Sequence, residues 1–156
     1  MRTNWLIAAI GICLVAACGG REGSTSGAGI TSTNNGCSLM FNGTYTYTYV
    51  ATSGDCGAIP PQHETVTAQP VSPASMQNLA NTCPGGTGTD VATPSSSGAC
   101  VIDGTFTGCQ VSGSSQTFDI TVHVTWNAGY TAATGTTSVA ISGGCAGSYG
   151  VTVSQP

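Results

Sequence analysis

From Cys37 onward the chain alternates. Leu39, Phe41, Tyr45, Tyr47 and Tyr49 interleave with Met40, Asn42, Thr44, Thr46, Thr48 and Val50, the period of two that turns successive side chains to opposite faces of a strand. TFDITVHVTW repeats the pattern, with Phe118, Ile120, Val122, Val124 and Trp126 on one face and Asp119, Thr121, His123 and Thr125 on the other. A turn at Asn127-Ala128-Gly129 leads into residues 134–142, where Val139 and Ile141 point inward. Gly143-Gly144 breaks the pattern, and residues 148–154 resume it with Tyr149, Val151 and Val153 inward. Three successive strands joined by short turns predict an antiparallel meander.

The middle of the chain is less regular. Residues 64–68 and 100–109 read as strands, with Asp103-Gly104 as a hairpin turn within the second. Met76, Leu79 and Ala80 stand at helical spacing behind Ser72 or Ser75, which predicts one short helix or turn over residues 72–83. Residues 84–99 offer no core-forming residue and read as a loop. The expectation is one all-β domain, residues 37–156, of about six to eight antiparallel strands in a β-sandwich or partly closed barrel.

The N-terminal part is organised differently. Residues 18–36 are rich in Gly, Ser and Thr without periodicity, a flexible tether with a reach of roughly 25 Å. Ahead of it, Trp5 to Ala17 is apolar, roughly 20 Å as a helix where spanning a bilayer takes about 20 residues. Arg2 precedes that stretch and Ala16 and Ala17 close it, the layout of a secretory signal over residues 1–17. Val15-Ala16-Ala17-Cys18 resembles the lipobox of bacterial lipoproteins. The resemblance implies that Cys18 becomes the N-terminus, carries diacylglycerol on its sulfur and often a palmitate-type chain on its amine. One chain holds weakly, at about 0.8 kcal/mol per buried CH₂, whereas two or three anchor stably. Gly19 in place of Asp implies the outer membrane by the same likeness. The F-x-G-T-Y run at Phe41–Tyr45 and C-x-G-x-Y-x-V at Cys145–Val151 resemble small cysteine-containing outer-membrane lipoproteins of unknown function, which supply no catalytic residues to carry over.

With Cys13 in the signal and Cys18 lipidated, Cys37, Cys56, Cys83, Cys100, Cys109 and Cys145 remain. An even set in an exported chain is a disulfide framework with 15 pairings open to it. Neighbour pairing, Cys37–Cys56, Cys83–Cys100 and Cys109–Cys145, is the expectation. Zinc sites need Cys or His pairs two to four residues apart, and the nearest two cysteines, Cys100 and Cys109, lie much farther apart, so neither a metal nor another cofactor is expected.

Charge narrows the partners. From Cys18 onward Arg21 is the only base and there are six acids. Phosphate backbones and anionic lipid surfaces are held by Lys and Arg, so nucleic acid is excluded and membrane contact falls to the acyl chains.

The search for chemistry returns little. His63-Glu64 lacks the second histidine of H-E-x-x-H, and GSTSG at 23–27 has Thr25 where a nucleophilic serine would stand. His123 shares a strand face with Asp119, but four residues along a strand is roughly 13 Å, beyond hydrogen-bond reach. Tyr45, Tyr47, Tyr49 and Trp126 could form a sugar-stacking platform, yet they share faces with Leu39, Phe41, Val122 and Val124 and read as core. The function expected is a lipid-anchored, non-catalytic binding or structural module of the envelope, with an envelope protein or a carbohydrate as its partner. The alternative is an envelope hydrolase using His63 or His123 as base.

Overall fold

The computed structural model describes residues 29–37, 40–70, 83, 85–110 and 114–156. Eight strands follow in chain order: β1 (Ile30–Asn34), β2 (Met40–Gly54), β3 (Gln62–Pro70), β4 (Thr87–Pro94), β5 (Cys100–Gln110), β6 (Thr117–Trp126), β7 (Ala132–Ile141) and β8 (Ala146–Ser154). There is no helix among the described residues. The short helix read over residues 72–83 falls almost wholly outside them.

The strands form one sheet in the order β1-β4-β5-β6-β7-β8-β2-β3. β4 to β8 are a continuous antiparallel meander, extending the three-strand meander of the sequence by two. β2 then pairs antiparallel with β8 and with β3. The expectation of antiparallel pairing throughout needs one correction, because β1 runs parallel to β4. The chain can pair these two in parallel because β2 and β3 lie between them in sequence, long enough for the crossover that parallel neighbours require.

The sheet is not closed into a barrel but curls over one core, as a sandwich does. Its inner face carries the alternate positions that the sequence marks as apolar. Tyr45, Tyr47, Tyr49, Phe118, Ile120, Val122, Val124, Trp126, Val139, Ile141, Tyr149, Val151 and Val153 are all buried. Tyr45 and Trp126 meet edge to face with ring centroids 5.6 Å apart. Large and small residues alternate across the inner rows. Gly135 lies between Val124 and Val151, and a Cβ there would stand 2.0 Å from the His123 carbonyl oxygen.

Three segments differ from their sequence reading. Residues 84–99, expected as a loop, contain β4, whose inward residues Asp90 and Ala92 are buried although neither is large and apolar. Asp103-Gly104 is mid-strand in an unbroken β5, not a hairpin turn. β1 lies inside the segment read as tether; five residues are too few for periodicity to register.

All three disulfides also depart from neighbour pairing. Cys37 bonds Cys100, Cys56 bonds Cys145 and Cys83 bonds Cys109. Two of the three follow sheet order rather than sequence order, and Cys37–Cys100 joins the end of β1 to the start of β5 past the intervening β4. Cys56 leaves β2 where Cys145 enters its neighbour β8, while Cys83 precedes β4 and reaches Cys109 on the adjacent β5. Cys109 can face the core because a bulge between Phe106 and Cys109 shifts the register. The bulge is held by the Asp119 carboxylate, which accepts a hydrogen bond from the Gly108 N–H at 2.8 Å.

Candidate functional site

What the core leaves outside is a hydroxyl face. Strand pairing aligns Thr31, Thr89, Thr105, Thr121, Ser138, Ser148 and Ser53 in one row across β1, β4, β5, β6, β7, β8 and β2. At about 4.8 Å between strands the row runs roughly 29 Å. A second row, two residues along, aligns Val91, Asp103, His123 and Thr136. A third aligns Val101, Thr125, Thr134, Thr152 and Thr48. Threonine suits this position twice over: its branched Cβ favours the strand, and its hydroxyl is at home in water.

The hydroxyls partly bond one another. Thr121 Oγ1 and Ser138 Oγ lie 2.5 Å apart, Thr87 and Thr107 3.2 Å, and Thr44 and Thr65 2.9 Å. Such cross-strand pairs hold rotamers in place while leaving each hydroxyl spare hydrogen-bonding capacity.

His123 does not meet Asp119, which is engaged at the bulge. Its Nδ1 instead contacts Asp103 Oδ1 at 2.5 Å across the β5–β6 pair. Both side chains are more than half exposed, and an exposed pair of this kind contributes at most about 1 kcal/mol. The spacing along β6 does not show this pair, because the partner stands one strand over. The signal was there: Val101, Asp103, Thr105 and Thr107 alternate with Ile102 and Phe106, so Asp103 belongs to an outer strand face.

Two shallow depressions of about 300 Å³ each lie on this face. One is lined by Asp103, His123, Thr105, Thr121 and Thr136. The other is lined by Asp119, Ser138, Ala140, Ala146, Ser148 and Ser53. One hollow lies over β4 to β6 and the other over β6 to β8 and β2, so they succeed one another across the sheet where small side chains leave space.

The remaining sequence candidates are placed as follows. His63 is exposed on β3, with Nδ1 3.1 Å from Thr46 Oγ1 and no carboxylate partner among the described residues. Tyr45, Tyr47, Tyr49 and Trp126 are buried at 7 % exposure or less, so they present no platform to a ligand. The six cysteines from Cys37 to Cys145 are bridged. No group of three or more His, Cys, Asp or Glu side chains is placed to hold a metal among the described residues, and Cys18 lies outside them. On the inner face of β8 Tyr149 donates its hydroxyl to the Gly57 carbonyl at 3.0 Å. Burial, with the nearby Asp55 carboxylate second, raises its pKa above the usual tyrosine value.

No protein-family model matches the chain, and no curated protein or solved structure matches it either.

Proposed function

We propose that this chain is a lipid-anchored extracytoplasmic protein of the bacterial envelope that works by binding, with no catalysis of its own. The observation that carries the binding part is the outer face: rows of short hydroxyl side chains, sparse in charge, with two shallow hollows. The anchor part is supported by the sequence alone, through an apolar stretch too short to span and the Val15-Ala16-Ala17-Cys18 run that ends it. Gly19 supports the outer membrane by the lipoprotein likeness. A tether ahead of β1 would hold the domain clear of the bilayer.

The anchor is tested by intact mass and detergent phase partitioning. The expected result is a chain beginning at an acylated Cys18 that enters the detergent phase, and a Cys18→Ala variant that does not. A mature chain without acyl mass would refute it.

One observation favours a second reading, a hydrolase with His123 as base: Asp103 holds its Nδ1, as an orienting carboxylate would. Against it, no Ser or Thr hydroxyl among the described residues hydrogen-bonds His123. His63 has a hydroxyl neighbour but no carboxylate partner among the described residues. The two readings part on one assay. Turnover of ester or glycoside substrates that His123→Ala abolishes would establish the hydrolase; binding without turnover supports the module.

A further inference from the structure

The binding reading says that the outer face holds something, and its chemistry says what. From Gly29 to Pro156 the sequence has no Lys or Arg, so the face has no fixed cation with which to hold a phosphate backbone, an anionic lipid surface or an acidic polymer. Its one exposed large apolar side chain among the described residues is Val50. Protein interfaces are anchored by buried aromatic and large aliphatic side chains, and here Tyr45, Tyr47, Tyr49, Phe106, Phe118, Trp126 and Tyr149 are all committed to the core. The groups left to a ligand are hydroxyls, each beside a methyl where the residue is Thr, together with the Asp103 carboxylate and the His123 ring.

Resting on the binding reading, we infer that the row from Thr89 to Ser148 binds an uncharged polysaccharide with an extended, β-linked backbone, laid across the strands along the two hollows. Such a chain offers hydroxyls along both edges and C–H groups on its faces, the counterpart of threonine's hydroxyl and methyl. One sugar of an extended chain advances about as far as one strand spacing, roughly 5 Å, so successive rings meet successive strands. Thr89, Thr105, Thr121, Ser138 and Ser148 stand on five neighbouring strands, about 19 Å of contact. Asp103 on β5 and Asp119 on β6 flank the row on opposite sides, where each carboxylate can accept from sugar hydroxyls. A flat crystalline surface fits less well, because the sheet curls enough to bring β2 against β6. A single chain can follow the curve.

With no exposed Phe, Tyr or Trp ring among the described residues, each site binds weakly, and strength comes from many anchored copies on one polymer.

The test is affinity electrophoresis of the full-length protein in detergent, through gels containing a soluble neutral mixed-linkage β-glucan, with pulldown of proteoliposomes on the insoluble polymer. Thr105→Val, Thr121→Val and Ser138→Ala combined remove three hydroxyls while preserving shape. The control, Thr125→Val, Thr134→Val and Thr152→Val, makes the same kind of change on the parallel row that neither hollow reaches. Retardation of the wild type is expected, with at least about tenfold weaker binding in the first variant and binding within about twofold of wild type in the control. If the triple variant does not fold, Thr121→Val against Thr134→Val carries the comparison.

Absence of retardation by the neutral polymer, equal loss in both variants, or adsorption to ice or to a protein partner in its place would overturn the inference. If the wild type stays membrane-held and ignores the glucan, the inference alone falls. If turnover of the glucan accompanies binding, the non-catalytic reading falls with it.

Discussion

Tyr45 on β2 and Trp126 on β6 touch ring to ring at 5.6 Å, with planes at 89°, although β7 and β8 lie between their strands. In a flat sheet three strand spacings would hold them roughly 14 Å apart. Their contact measures how far the sheet curls, and it is the curl that buries the aromatic face and leaves the hydroxyl face outside. Trp126→Ala is therefore expected to cost roughly 3–5 kcal/mol in denaturant unfolding. Tyr45→Ala should be nearly additive with distant changes but coupled to Trp126→Ala by about 0.5–1.5 kcal/mol. A Trp126→Ala variant of wild-type stability would refute the core assignment.

Peptide mapping without reductant should return Cys37–Cys100, Cys56–Cys145 and Cys83–Cys109, with no alkylatable thiol among the six. Loops of 63, 89 and 26 residues are closed, so loss of the shortest-loop bridge should cost least, about 3.5 kcal/mol against about 4.6 for the longest in the chain-entropy account. A Cys37–Cys56 peptide would contradict the sheet order itself.

Much of this fold is legible in the sequence and some is not, for identifiable reasons. β2, β6, β7 and β8 declare themselves because their inward positions are aromatic or branched, as at Tyr45, Tyr47, Val122, Val139 and Val151. β4 does not, because its inward residues are Gly88, Asp90 and Ala92. Disulfide pairing depends on which strands become neighbours, and β2 joins β8 across about ninety intervening residues. The His123–Asp103 pair and the hydroxyl row are invisible for the same reason: both exist only once strand registers are known. The threonines themselves were plain to see, but a lone threonine face reads simply as solvated surface.

Tyr149 supplies a pH dependence. Burial favours its neutral phenol, so the folded chain keeps the proton to higher pH than the unfolded chain does. Stability is intact below the ordinary tyrosine value of about 10 and is lost as pH rises through the raised one. Urea midpoints should fall as pH rises above about 10, and less so in Tyr149→Phe, which loses about 1 kcal/mol at pH 8 for its hydrogen bond to Gly57. Identical pH profiles in the two proteins would remove Tyr149 as a cause.

Gly135 on β7 pairs with Val124 on β6, and a Cβ there would be 2.7 Å from the Val124 Cα. Backbone on that side cannot yield cheaply, so Gly135→Ala should destabilise by at least about 1–3 kcal/mol. Gly129→Ala, at a β6–β7 turn position where an added Cβ meets nothing closer than 4.0 Å, is the matched comparison and should be milder.

The central claim is that the outer hydroxyl face is the working surface, and methyl NMR of labelled threonines reads it residue by residue. On titration with a short neutral β-linked glucan oligosaccharide, the Thr89, Thr105, Thr121 and Thr136 methyls should shift together while Thr48, Thr134 and Thr152 stay in place. Shifts confined to the second set, or none at saturating oligosaccharide, would contradict the account.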